Sequence, residues 1–241
     1  MPFINPEDGH LIVINLFKTD TPDKRDRLLK ETMAVVDNAD FPGWVSSTVH
    51  RGQDKLGTLN FIQWRAMEDL QSWYAGDVFK HRDMSVFLTL MTFVRLLQAE
   101  MVLSQCHPAV GKVAEISPDR DDYTVVEILD VPPLTQDNLI AAIGDAHEWL
   151  VETPGYRSQS VLRGVIARGP NGVGELQTMG AENSFVVVYS QWDSKEAYDA
   201  FRVTPEDEKS PARLATEVKR NALTISSDWN TYQVVHAGSA A

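Results

Sequence analysis

The chain has 241 residues, 43% hydrophobic and 23% charged, which is enough to bury sizeable cores. Its formal net charge of −12 and pI of about 4.9 argue against nucleic acid and anionic membranes, both of which are bound through surplus Lys and Arg. Cys106 is the single cysteine, so no intrachain disulfide can form. The opening Met1-Pro2-Phe3-Ile4-Asn5 lacks the parts of a signal peptide, and the most apolar stretch, residues 86–97, is too short to span a bilayer. A cytoplasmic protein is expected.

In chain order, residues 10–17 form a β-branched run read as a first strand. Thr21-Pro22 offers an N-cap followed by proline at the first helical position. Leu28, Leu29, Met33 and Val36 then make an apolar helical stripe that Phe41-Pro42-Gly43 stops. Residues 45–51 and 58–65 are predicted to pair as a hairpin. A second helical region is predicted from Met67 past Trp73 and His81, resuming from Met84 to Leu97, before a strand at 100–106. Residues 108–122 read as a linker.

A second series follows. It has a strand at 123–129 and a helix capped by Thr135, with Leu139, Ala142, Ile143, Ala146 and Leu150 buried. Pro154-Gly155 stops that helix. A hairpin loop rich in glycine (Gly164, Gly169, Gly172, Gly174, Gly180) comes next, then a helix holding Tyr198 and Phe201. An amphipathic helix with Leu214, Val218 and Ala222 precedes a closing strand at 231–235, and residues 237–241 are expected to be disordered.

The two series are copies of one pattern. Phe41-Pro42-Gly43-Trp44 and His50-Arg51-Gly52 recur 112 positions on as Thr153-Pro154-Gly155-Tyr156 and Leu162-Arg163-Gly164. Ile62-Gln63-Trp64 recurs 128 positions on as Ser190-Gln191-Trp192. Each copy reads β-α-β-β-α-β, and a four-stranded antiparallel sheet with helices on one face leaves the other face bare. The expected fold class is therefore α+β: two fused ferredoxin-like domains, 1–110 and 122–237, whose sheets cover each other as a pseudo-symmetric α/β barrel. Further self-association is left open.

Where the copies differ, chemistry is expected. Asn60, Ile62 and Trp64 share a strand face. An amide and an indole on an apolar face can orient a flat, oxygen-bearing ligand, or they can be a backbone cap and a core anchor. The second copy keeps Trp192 but has Val188 in place of the amide, which singles out Asn60 and the first domain. His50, which becomes Leu162, suits proton transfer or is a wetted hairpin-end residue. Asn15 matches Glu127 and is either a pocket-lining group or an inter-sheet hydrogen bond. Arg82 is a candidate partner for an anionic oxygen. Trp73, His81, Phe87 and Met91 are candidate substrate contacts, the last two on a run that is apolar on most faces. No metal-ligand spacing, nucleophile elbow or dinucleotide-binding glycine loop is present.

With these residues, the chain resembles the antibiotic biosynthesis monooxygenases, a group of dimeric α/β barrels, here as a tandem fusion over residues 10–106 and 122–236. At this length it is similar to the ring-opening oxygenases of angucycline pathways of jadomycin, gilvocarcin and kinamycin type. The quinone-forming members carry an Asn-x-x-x-Trp strand motif and a later arginine, matched by Asn60, Trp64 and Arg82 and broken by Val188. The resemblance implies O2 as oxidant, a polycyclic aromatic quinone or hydroquinone as substrate, and reduced flavin (FADH2 or FMNH2) supplied by a partner flavin reductase. No metal is implied. In that scheme Asn60 and Arg82 hold oxyanions, His50 moves protons and Trp64 stacks on the ring system. A non-enzymatic aromatic-binding or stress-response barrel ranks second. A haem-degrading enzyme ranks third: Trp73 and Phe79 match its W-x₅-F helix, but Asp83 stands where the histidine ligand would be.

Overall fold

Strands of both halves place apolar side chains on two faces, so each sheet needs cover on both. The computed structural model of the protein describes residues 2–81, 83–170, 176–178 and 184–240. The first half holds β1 (Phe3–Ile4), β2 (Leu11–Lys18), α1 (Pro22–Asp37), β3 (Trp44–Gly52), β4 (Gly57–Trp64), α2 (Met67–Ala75), α3 (Asp77–Lys80), α4 (Ser85–Leu90) and β5 (Phe93–Cys106). After β6 (Ala114–Glu115) come β7 (Tyr123–Val131), α5 (Gln136–Asp145), α6 (His147–Leu150), β8 (Tyr156–Pro170), β9 (Leu176–Thr178), β10 (Ser184–Trp192), α7 (Lys195–Arg202), α8 (Pro211–Leu223) and β11 (Ser226–Ser239).

The strands β3-β4-β2-β5 and β8-β10-β7-β11 are joined at two antiparallel seams, β5–β8 and β11–β3, and close into a barrel of eight strands. The interior is one apolar core drawn from both halves, including Ile12, Ile14, Phe61, Leu97, Ile128, Leu162, Val187 and Val234. The alternate residues of each strand face outward to the helices. Leu11, Val13, Val49 and Trp64 pack there with α1 and α2, and Val131, Val161 and Val186 pack with α5.

The helix starts follow local chemistry. Thr21 Oγ1 accepts from the Lys24 amide at 3.3 Å, with Pro22 at the first position of α1. Thr135 does not cap α5; its hydroxyl donates to the Pro132 carbonyl instead.

Several expectations need correction. The apolar run after Met84 is a short helix that ends at Leu90, and residues 93–97 begin β5. A strand covered by the barrel core on one side and helices on the other is apolar on both faces, so it lacks alternation. The linker is not free: β6 pairs with β1, and Ile4, Ala114 and Ile116 are fully buried against the barrel core. Residues 237–239 are no tail, because β11 runs to Ser239 against β3. In α8, Val218 and Ala222 are exposed and Arg213 is the buried residue. Of the loop glycines, Gly172, Gly174 and Gly180 lie outside the described residues, and Gly164 and Gly169 fall within β8.

Gly43 and Gly155 occupy matching turns with φ of +84° and +78°. A Cβ at either would overlap the Asp69 side chain or Ala197 Cβ. Replacing either glycine by alanine is expected to cost about 1–3 kcal/mol through left-handed strain and overlap. The loss should appear in urea unfolding as a lower midpoint at unchanged slope.

Candidate functional site

The outer face of the first half-sheet carries a row of residues paired directly across five strands: Val49 on β3, Asn60 on β4, Asn15 on β2, Leu96 on β5 and Arg168 on β8. Two asparagines thus stand side by side on neighbouring strands. Their Oδ1 atoms are buried without hydrogen-bond partners. An unpaired buried carbonyl costs about 1–3 kcal/mol, so folding alone gives no reason to keep the pair.

The matching row in the second half reads Val161, Val188, Glu127 and Trp229. There Glu127 is tied to Arg220, and Trp229 lies under the Arg202 guanidinium at 4.9 Å. Trp192 stacks on Phe201 at 4.7 Å. Side chains occupy this second site.

In the first half the same place is a cavity of about 600 Å³ between the sheet and helices α1–α4. That size suits a drug-sized ligand. Phe41 stands on its wall, 6.5 Å from Trp64 in a stacked arrangement and 3.9 Å from Trp73. Several polar lining groups are already engaged: the Trp44 indole donates to Ser47 Oγ at 2.9 Å, Thr32 to the Leu28 carbonyl at 2.8 Å, and Thr92 to the Lys18 carbonyl at 3.2 Å. Asn15, Asn60, Tyr74, Arg168 and the Trp64 and Trp73 indoles remain for a ligand among the described lining residues. Burial raises the Tyr74 phenol above its ordinary value, with Arg168 pulling the other way, so Tyr74 is a proton-bearing donor at neutral pH.

Of the residues expected at the site, Asn15, Asn60, Trp64, Trp73, Phe87 and Met91 all line this cavity. Arg82 lies outside the described residues. His81 is exposed and is not on the cavity wall. His50 is the clear correction. It pairs across the strands with Leu59 and points into the barrel, fully buried. Its Nδ1 lies 3.0 Å from the Thr48 carbonyl and its Nε2 2.9 Å from the Tyr189 hydroxyl. A carbonyl only accepts, so Nδ1 carries the hydrogen and Nε2 accepts from tyrosine. Burial pushes its pKa down to about 4, leaving a neutral core group with no route to a substrate. The sequence reading missed Tyr74, next to Trp73, and Arg168, whose signal was the longer loop of the second copy.

A crystal structure described as an anthrone oxidase-like protein is 45% identical to this chain, with a TM-score of 0.89, and the match covers 99% of this chain and 97% of that one. The chain belongs to the anthrone oxidase-like family. Two more distant structures share the fold. A candidate monooxygenase from Fusobacterium nucleatum has 9% identity and a TM-score of 0.59, covering 96% of this chain and 94% of its own. Another from Lactobacillus acidophilus has 10% identity and a TM-score of 0.56, covering 96% of each chain. Neither a family model nor a curated protein matches the chain. Among the described residues, no helix is long and apolar enough to cross a membrane, and no group of three or more His, Cys, Asp and Glu could hold a metal ion.

His50 also sets a pH dependence. The unfolded chain binds a proton there near 6.5 and the folded one only near 4. Stability is therefore full above about 6.5 and falls as the pH drops towards 4, by up to about 3 kcal/mol. Urea midpoints measured from pH 7 down to 4.5 should show this loss, and His50→Gln should flatten it.

Proposed function

We propose that the protein is an oxygenase that oxidises an electron-rich carbon of a polycyclic aromatic phenol, such as an anthrone or a reduced quinone, with O2. The observation that carries this reading is the Asn15–Asn60 pair on the wall of an otherwise apolar and aromatic cavity. Membership of an oxidase-like family supports it. Residues 1–110 would be the active unit and residues 122–237 a degenerate copy.

An anthrone loses a proton from the methylene carbon across the ring from its carbonyl, and negative charge collects on the carbonyl oxygen. The carbon combines with O2, and protonation of the terminal oxygen gives a hydroperoxide. Loss of water then forms the second carbonyl: the C–H and O–O bonds break, one oxygen atom stays in the quinone and the other leaves as water. The substrate supplies the electrons. Asn15 and Asn60, whose Oδ1 atoms are buried without partners, would donate from Nδ2 to the charged oxygen. Trp64 and its aromatic neighbours would hold the ring plane. Tyr74 would donate to the peroxide. No described lining residue is a carboxylate or histidine, so solvent water would take the first proton.

A resident flavin nucleotide does not fit the described lining. Its phosphate needs several N–H or cationic donors, and Arg168 alone offers a charge there. A reductase-supplied flavin would act earlier, by reducing a quinone substrate before it binds. For a larger angucycline-type hydroquinone, the same carbon–peroxide bond would lead to oxygen insertion and ring opening, and a cavity of about 600 Å³ has room for such a ring system.

Oxygen uptake with product mass analysis tests this. An anthrone is expected to give the quinone with one O2 consumed per turnover, faster than its autoxidation. Asn60→Val should lower kcat/KM by about 10²-fold, the usual loss for one oxyanion donor. Unchanged turnover in that variant would remove the proposed contact. Tight binding of the ring system without oxygen uptake would leave an aromatic-binding barrel.

A further inference from the structure

Arg168 is a charged group on the cavity wall to which the reaction above gives no role. It belongs to the second half of the chain, near the end of β8, yet lines the cavity of the first. It sits in the same cross-strand row as the amide pair, opposite Leu96, which is opposite Asn15. Strands lie ~4.8 Å apart, so its Cα is ~10 Å from that of Asn15 and ~14 Å from that of Asn60. That is the span of three or four fused rings with their substituents.

The described residues offer it no ion pair, although the chain has 34 acidic residues to 22 basic ones. Neighbouring arginines of the barrel are paired: Arg95 with Asp130 at 3.0 Å and Arg163 with Asp137 at 2.8 Å. A half-buried guanidinium beside an apolar cavity, with no carboxylate on the described lining, has its charge left for an anionic ligand. The longer second loop builds this placement. β3 ends at Gly52, but β8 continues to Pro170, and its added length pairs with β5 and carries β9. The residue 112 positions before Arg168 is Leu56, so the first copy has no counterpart.

We infer that Arg168 holds an anionic oxygen at the end of the substrate remote from the amide pair, and so selects polycycles that carry a carboxylate or an ionised phenol there. This rests on the polycyclic substrate proposed above.

Three stable quinones read it without turnover: 9,10-anthraquinone, anthraquinone-2-carboxylate and 2-hydroxyanthraquinone, titrated into the full chain by quenching of tryptophan fluorescence. Trp44, Trp64 and Trp73 line the cavity and supply the signal. The carboxylate is expected to bind at least tenfold tighter than the neutral quinone. Arg168→Met should abolish that preference while moving the neutral quinone less than twofold, and Arg168→Lys should keep part of it. Bound 2-hydroxyanthraquinone should show its phenolate absorption at lower pH with the wild type than with Arg168→Met; Tyr74 and Arg168 are the titratable groups facing it among the described residues. A carboxylate preference without that spectral shift assigns the site to carboxylates, and the shift without the preference assigns it to phenolates. Wild-type indifference to ligand charge, or equal losses for all three ligands in Arg168→Met, overturns the inference and leaves the polycycle reading intact. Failure of the wild type to bind any of the three ring systems refutes the polycycle reading and this inference with it.

Discussion

Everything in this molecule depends on two sheets covering each other. Neither half could leave Ile12, Ile14 and Phe61, or Ile128, Leu162 and Val187, facing water, and the barrel interior resolves both problems at once. Because the inner faces are spent on each other, the outer faces are left for helices. The cavity exists where those helices do not press fully onto the sheet. Its floor is therefore held by the hydrogen-bonded ladder of the barrel itself, the stiffest element available to position two amides.

The fold is nearly two-fold and the chemistry is not. Equivalent rows run across the two half-sheets, but one reads Asn60, Asn15, Leu96 and the other Val188, Glu127, Trp229. In the second, an ion pair to Arg220 and stacked aromatic rings occupy the space that a ligand would need. Two identical chains could not differ in this way. One continuous chain can, and it can also lend a side chain from the second half to the first, as β8 does with Arg168.

Much of this was legible in the sequence, because the repeat made each element visible twice. Pro42-Gly43 and Pro154-Gly155 marked helix ends, both glycines adopting positive φ, and strand parity alone put Asn60, Ile62 and Trp64 on one face, which the fold turns outward. The failures have physical causes. Residues 93–97 look helical because a strand buried on both sides loses its alternation. His50 was placed at the site because facing direction changes with every residue. The β3–β4 register, which sets His50 opposite Leu59 and not Asn60, includes a bulge near Trp44 that no composition reveals. Arg168 was hidden for another reason. A contact between copies depends on how far a strand extends past its own hairpin, and the longer second loop shows that there is extra chain but not where it lands.

The position of β11 bears on how the chain is made. β3, formed early in the sequence, finds its outer neighbour in β11, which follows the other described strands. Until residues 226–239 emerge, a nascent half-barrel has an unpaired edge at β3 and a bare apolar inner surface. Closure thus waits for β11, and a chain interrupted before Ser226 is held in a form prone to pair with its own kind.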